Sequence, residues 1–102
     1  MKLGFSEDLI PSVLDGSKTE TYRLGFKYNF LEVDDLVEIE NSQTKELNGT
    51  AVITLKEKVT FIDVPTKFSE TREELRKRLE TYYNTKIVDD DSFLKLSFRL
   101  YY

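Results

Sequence analysis

The spacing of apolar residues predicts short strands along most of the chain. Segments at 1–5, 36–40, 46–55 and 59–64 show the apolar runs or alternation typical of half-buried strands. Asn48-Gly49 interrupts the third of these segments and predicts a β-bulge there. The clearest strand is the last one, in which every second residue is apolar: Leu94, Leu96, Phe98 and Leu100.

A first helix is predicted over residues 6–14, where the apolar residues fall on one face. Asp8 is its predicted N-cap, because a short acidic side chain can accept a hydrogen bond from the exposed amides of the first turn. With that cap, Pro11 falls in the first turn, where its missing amide hydrogen costs nothing. Gly16 can adopt the left-handed conformation that closes a helix.

A second helix is predicted to begin at Arg72, because Thr71 and Glu74 have the spacing of a capping box. Asn84 is the predicted end of this helix. Glu70 then lies just before the cap, on an exposed approach. Four residues of the helix share an amphipathic stripe: Leu75, Leu79, Tyr82 and Tyr83.

Residues 18–23 form a predicted sixth strand that is unusually polar. On a regular strand, Thr19, Thr21 and Arg23 share one face and Lys18, Glu20 and Tyr22 share the other. Neither face is apolar enough for an ordinary core strand. The segment is therefore either a solvated edge of the sheet or the floor of a binding cleft.

These elements predict the α+β class, with about six strands and two flanking helices. Many short strands with one covering helix near each end favour a small, partly closed β-barrel. A chain of 102 residues is long enough to bury such a core as one domain, over residues 1–102.

The residue types present restrict the chemistry. The chain has no cysteine and no histidine, which excludes disulfides, thiolate catalysis, histidine bases and ordinary structural zinc sites. Carboxylates, lysine, tyrosine and hydroxyls remain. We find no apolar run of membrane-spanning length and no signal-peptide core, so the expected location is the cytoplasm and no membrane partner is expected.

The net charge is −4, with an isoelectric point near 4.9. Proteins that bind long nucleic acid usually show a basic face, because phosphate neutralisation supplies most of their affinity. The charge therefore argues against binding of long duplex DNA. Lys18, Arg23 and Lys27 still cluster in the N-terminal third, which fits a small specific ligand or a single extruded base.

Residues 14–23, which read LDGSKTETYR, resemble the G-x-K-T-x-T-x-R signature of the ASCH domain family. Three later segments are similar to further family features in the same order, at 35–39, 61–65 and 68–83. The family usually has glycine where this chain has Asp34. Aspartate tolerates a left-handed turn better than most residues, so the turn is expected to survive the replacement.

The resemblance implies a PUA-like β-barrel that works on RNA, with a cleft facing the polar strand. One branch of the family deacetylates 4-acetylcytidine without a metal or other cofactor, using a lysine, a threonine and a glutamate. Lys18 and Thr21 match the first two positions by motif, and Glu70 matches the third with a short gap. The resemblance thus implies three catalytic residues: Lys18, Thr21 and Glu70.

The chemistry of such a site has a geometric condition. Threonine is a poor nucleophile until a base removes its proton, and a lysine serves as that base only if burial or a neighbouring cation lowers its pKa. Glu70 would then protonate the leaving nitrogen. Lys18 and Thr21 point to opposite faces of a straight strand, so their cooperation requires a bend near residues 17–19. The alternative is that Lys18 is a solvated edge residue and Thr21 a strand former.

Other side chains also have two interpretations. Arg23 either holds a phosphate or carboxylate in a two-pronged contact or forms a salt bridge with Glu20 or Glu38. Tyr22 either stacks on a base or, as we favour, is half-buried packing. Packing is likewise the prediction for four more tyrosines: Tyr82, Tyr83, Tyr101 and Tyr102.

The leading hypothesis is that the protein binds RNA or a modified nucleoside at the polar strand, as a monomer and without a cofactor or metal. The competing hypothesis is enzymatic amide hydrolysis of an acylated cytidine, and a purely protein-binding adaptor has no feature in its favour. The predicted ligand-binding residues are Lys18, Thr19, Thr21, Tyr22 and Arg23.

Overall fold

The computed structural model describes residues 1–101 and shows an α+β fold with five strands and two α-helices. The strands are β1 (Lys2–Phe5), β2 (Glu20–Leu24), β3 (Leu36–Asn41), β4 (Leu47–Thr60) and β5 (Ser92–Leu100). The helices are α1 (Ile10–Leu14) and α2 (Arg72–Tyr83). Two single 3₁₀ turns, Glu7–Leu9 and Phe61–Asp63, precede α1 and follow β4.

The five strands form one sheet in the order β1-β3-β4-β5-β2. β1 pairs with β3 in parallel, and the other neighbours are antiparallel. The edge strands β1 and β2 do not pair with each other, so the sheet is not closed into a barrel. The predictions of a barrel and of six strands were therefore wrong, although the α+β class was right.

The missing strand is the one predicted at 59–64. Instead, β4 continues through three charged residues, Lys56, Glu57 and Lys58, to Thr60, and the chain then enters a 3₁₀ turn at Phe61. The prediction ended the strand before these charged residues. They remain in the strand because only one face of this part of β4 is covered by other residues. A register shift between Ile53 and Leu55, opposite β5, bends the strand at Thr54.

Several local predictions were confirmed. The β-bulge at Asn48-Gly49 is present, because Glu38 pairs with Thr50 while Glu40 pairs with Leu47. Asp34 adopts the left-handed conformation, with a φ of 77°. The first helix differs from its prediction, since residues 7–9 form a 3₁₀ turn and the cap of α1 is Leu9 rather than Asp8.

α2 begins at Arg72 as predicted. The Thr71 hydroxyl accepts a hydrogen bond from the Glu74 amide at 3.1 Å, and the Glu74 carboxylate accepts one from the Thr71 amide at 3.0 Å. Asn84 ends the helix in the left-handed conformation, with a φ of 53°. These local contacts fix where α2 starts and therefore which of its faces meets the sheet.

The sheet buries a separate apolar cluster on each face. The first cluster lies under α1 and includes alternate residues of β5: Leu94, Leu96 and Phe98. The second lies under α2, where Phe93 packs with Phe61, Val64, Leu75 and Ile87. Tyr22 packs against this second cluster, as predicted.

The tyrosines predicted to pack behave differently from one another. Tyr83 packs against the second cluster, whereas Tyr82 is 67% exposed and Tyr101 is 54% exposed. The prediction was wrong for these two, because Tyr82 lies at the rim of the helix stripe and Tyr101 follows the end of β5. Tyr102 lies outside the described residues.

No helix within residues 1–101 is long and apolar enough to cross a membrane.

Candidate functional site

A cavity of about 470 Å³ lies between the two edge strands, β1 and β2, and α2. The chain contributes to its wall from the end of β1, from the 3₁₀ turn before α1, from β2, from the segment that follows Val64 and from one face of α2. Its size is within the range of small-molecule sites, which is roughly 300–1,000 Å³. The charged and hydroxyl-bearing residues of its wall include Asp8, Lys18, Thr21, Tyr22, Arg23, Lys67, Arg78, Tyr82 and Tyr83.

Lys18 and Thr21 both line this cavity because the chain bends before β2 begins. Gly16 has a φ of 83°, which turns the chain after α1, and the Lys18 amide donates to the Ser12 carbonyl at 3.0 Å. Residues 17–19 are therefore outside the regular strand, which starts at Glu20. The bend that the chemistry required is present.

Arg23 connects the two edges of the open sheet. From β2 it donates through Nε to the Thr21 hydroxyl at 2.9 Å and through its terminal nitrogen to the Gly4 carbonyl of β1 at 2.7 Å. The guanidinium also lies 5.0 Å from the Phe5 ring and 5.1 Å from the Tyr28 ring. Neither predicted salt bridge forms within residues 1–101, where Glu20 pairs with Lys95 at 3.7 Å.

Thr21 is only 6% exposed, and its hydroxyl accepts the hydrogen bond from Arg23. A buried hydroxyl needs such a partner, because an unsatisfied one costs free energy. The contact fixes the oxygen at the cavity wall and points its lone pair toward the guanidinium.

The Lys18 ammonium has a lowered pKa. Burial is the largest cause, the nearby charges of Arg23 and Lys67 act in the same direction, and Glu20 partly opposes them. Within residues 1–101 the ammonium has no carboxylate in salt-bridge contact. It is a half-buried cation with unused hydrogen-bond donors.

Glu70 does not line the cavity. Its carboxylate accepts two hydrogen bonds from Arg78, at 2.9 and 3.1 Å, and one from the Lys67 amide at 3.0 Å. These contacts, led by Arg78, lower the pKa of Glu70 to about 2. A carboxyl group with that pKa is ionised at neutral pH, which opposes the role of proton donor.

The remaining predicted residues are divided. Tyr22 lines the cavity, half-buried against the cluster under α2. Thr19 is exposed and faces a shallow outer depression with Ser12 and Ser17 instead. The structure therefore brings together Lys18, Thr21, Tyr22 and Arg23 and leaves Thr19 and Glu70 outside.

Sequence reasoning missed Asp8, Lys67, Arg78 and Tyr82 as wall residues. One signal was available, because Arg78 lies three residues after Leu75 and four before Tyr82, on the same side of the helix. Lys67 and Asp8 had no such signal. They reach the cavity only through the packing of distant segments.

The cavity wall is more positive than the protein as a whole. Four cationic side chains and one carboxylate, that of Asp8, line it, whereas the whole chain has a net charge of −4. Arg78 is compensated by Glu70, but Lys18, Arg23 and Lys67 form no ion pair within residues 1–101. No group of three or more metal-binding side chains occurs in the part of the chain described.

No family model matches the sequence, and a search of curated proteins gives no match either. Crystal structures that are similar to most or all of the fold include the following two. A protein from Enterococcus faecalis assigned to family model DUF984 has a TM-score of 0.72 at 17% identity, over 99% of this chain and 76% of that one. An ASCH domain from Lactobacillus crispatus has a TM-score of 0.63 at 15% identity, over 88% of this chain and 68% of that one.

The chain has an ASCH-like fold. The likeness covers nearly the whole chain, so it includes the elements that form the cavity. At this identity it concerns the fold alone, and the ligand has to be argued from the residues of the cavity.

Proposed function

We propose that the protein binds RNA or a modified nucleoside in the cavity beside β2. The observation that carries the proposal is the cavity wall, where uncompensated cations and tyrosine side chains lie together in a space of small-molecule size. A nucleotide has the complementary parts, namely an anionic phosphate and a flat aromatic base.

The cations divide into two kinds. Lys18 and Lys67 have free ammonium groups that suit a phosphate, because each presents several donors around a point charge. Arg23 already uses two of its nitrogens to hold Thr21 and Gly4, so it contributes positive field more than direct contacts. Desolvation of Lys18 strengthens its attraction for an anion, since less water competes.

The tyrosines supply the aromatic surface. Tyr82 is 67% exposed and meets Tyr83 edge to face, with ring centroids 4.9 Å apart. An exposed ring held by a partly buried one is a suitable stacking surface. Stacking of a base on such a ring contributes about 1–3 kcal/mol in single-strand binders. Asp8 and Thr21 are polar groups at the wall that would contact the base edge.

The test is a calorimetric titration with cytidine monophosphate and with a short single-stranded RNA. We expect Lys18→Ala to weaken both affinities about tenfold, because a desolvated cation is lost from the wall. Lys77→Ala is the matched control, since Lys77 is an exposed lysine on α2 that does not line the cavity. Equal affinities for the wild type and the Lys18 variant would reject the proposal.

Amide hydrolysis is a second candidate, and one observation favours it. The pKa of Lys18 is lowered, as a lysine general base requires, and Lys18 shares the cavity with Thr21. In that reaction the Thr21 oxygen would attack the acyl carbonyl while neutral Lys18 takes the hydroxyl proton. The bond between the acyl carbon and the nucleobase nitrogen would then break, and Lys18 would return the proton to the leaving nitrogen. Water would then release the acyl group from Thr21.

The geometry around Glu70 weighs against this second candidate, because its carboxylate is ionised, paired with Arg78 and outside the cavity. Chromatography after incubation with 4-acetylcytidine separates the two functions. Release of cytidine by the wild type and its loss in Lys18→Ala would establish hydrolysis. Binding without product would leave the protein as a binding module.

A further inference from the structure

Phe68 is an aromatic side chain with no ring partner within residues 1–101, and it directly follows a residue of the cavity wall. It is 101% exposed, the highest value among the exposed large apolar residues of the part described. Its neighbour Lys67 lines the cavity, together with Pro65 and Thr66. Packing therefore does not account for the exposure of this ring, and its neighbour in the chain belongs to the cavity wall.

The turn that carries Phe68 is fastened at both ends. The Glu70 amide donates to the Lys67 carbonyl at 3.0 Å, and the Lys67 amide donates to the Glu70 carboxylate at 3.0 Å. The same carboxylate accepts two hydrogen bonds from Arg78 of α2, and its side chain is only 12% exposed. Phe68 thus projects from a turn that is anchored to the helix forming the cavity wall.

The charges around this turn identify the kind of ligand that would reach the ring. Lys67 precedes Phe68, and Lys18 and Arg23 lie across the same cavity without ion pairs within residues 1–101. A polyanion with unpaired bases can place one base in the cavity, its phosphate near Lys67 and the next base on the Phe68 ring. A duplex cannot, because its base faces are covered by stacking.

We infer that Phe68 stacks on the base adjacent to the one held in the cavity, and that the ligand is single-stranded RNA of at least two nucleotides. This inference rests on the proposed function and narrows it, since a free nucleoside would gain nothing from Phe68. Glu70 is then a positioning residue that fixes the turn, through Arg78, at the mouth of the cavity.

The experiment compares cytidine monophosphate with a short single-stranded oligocytidylate, by calorimetry and fluorescence anisotropy. Phe68→Ala is expected to weaken oligonucleotide binding about tenfold and to leave mononucleotide binding unchanged. Phe68→Leu is expected to behave like the alanine variant and Phe68→Trp to bind like the wild type, because stacking needs a π-face. Phe26→Ala is the matched control, since Phe26 is 53% exposed and does not line the cavity.

The outcomes separate this inference from the proposed function. If Lys18→Ala weakens both ligands and Phe68→Ala weakens neither, the cavity function stands and the stacking role is overturned. In that case Phe68 belongs to another surface, such as a contact with a protein. If no variant changes binding of either ligand, both the stacking role and the cavity function are rejected.

Discussion

Glu70 is fully ionised in the folded protein because Arg78 and the Lys67 amide hold its carboxylate. The contacts that lower its pKa to about 2, from an ordinary value of 4.5, are also the contacts that close the turn beneath Phe68. The family resemblance assigns Glu70 to proton transfer, but in the fold its carboxylate holds the turn at 67–70 against α2. The distinction is testable through the pH dependence of stability.

The carboxylate of Glu70 binds a proton more weakly in the folded state than in the unfolded one. Its contribution to stability is therefore complete above pH 4.5 and is lost as the pH falls towards 2. We expect urea unfolding to show a smaller loss of stability over this range for Glu70→Gln than for the wild type. Parallel pH profiles for the two proteins would contradict a stabilising role of the Glu70 carboxylate. NMR titration of the Glu70 carboxyl carbon measures its pKa directly.

The surroundings of Lys18 disfavour its charged form, whereas those of Glu70 favour the charged form. The pKa of Lys18 is lowered because burial and two neighbouring cations disfavour the ammonium form. The folded state therefore carries an electrostatic cost at neutral pH, and an anionic ligand relieves it. Within residues 1–101 no salt bridge offsets this cost, so the loss of Lys18 is expected to affect ligand binding more than folding.

At the level of the elements, Arg23 replaces the backbone pairing that would close the sheet. β1 and β2 are the two edges of the sheet, and the Arg23 side chain reaches from one to the other to bind the Gly4 carbonyl. The gap between these edges is also part of the cavity, since Gly4, Thr21 and Arg23 all line it. Full closure by hydrogen bonds would remove this side of the site.

We expect Arg23→Met to lower the free energy of unfolding by about 2 kcal/mol, because it removes two charge-assisted hydrogen bonds and leaves the Gly4 carbonyl without its partner. Arg99→Met is the matched control: Arg99 is exposed on β5, has no ion pair within residues 1–101, and should change stability by less than about 0.5 kcal/mol. Urea unfolding measures both. Equal effects of the two substitutions would show that Arg23 does not join the edges.

The sequence predicted those elements whose signals are local. The capping box of Thr71 and Glu74 and the alternation in β5 each depend on a few neighbouring residues, and both were confirmed. The charged residues Lys56, Glu57 and Lys58 hid the length of β4, because one face of that strand meets solvent. Barrel closure was mispredicted since the meeting of β1 and β2 depends on one arginine side chain, which no periodicity reveals.

The sequence likewise predicted only part of the candidate site. The motif located Lys18, Thr21 and Arg23, and the bend before β2 brings Lys18 and Thr21 to one cavity. The partner of Glu70 is eight residues along the chain on α2, and its pairing follows from helix position and loop path together. Lys67 and Asp8 meet the cavity only through tertiary packing, so no spacing in the sequence identifies them.

At the scale of the whole molecule, the cavity wall is positive although the chain as a whole is acidic. The chain is acidic, at −4, while the cavity wall has three cations without an ion pair within residues 1–101 and one carboxylate. This separation favours a short anionic ligand at one place over a long polyanion along a face.

The central claim is that the cavity beside β2 receives the nucleotide. The direct measurement is an NMR titration of the isotope-labelled protein with cytidine monophosphate, followed at every backbone amide. We predict saturable shift changes concentrated in residues 18–23 and 64–67 and on the cavity face of α2. Changes centred on the three aspartates at 89–91, which do not line the cavity, would contradict the claim. Changes scattered over the surface, or none at all, would contradict it too.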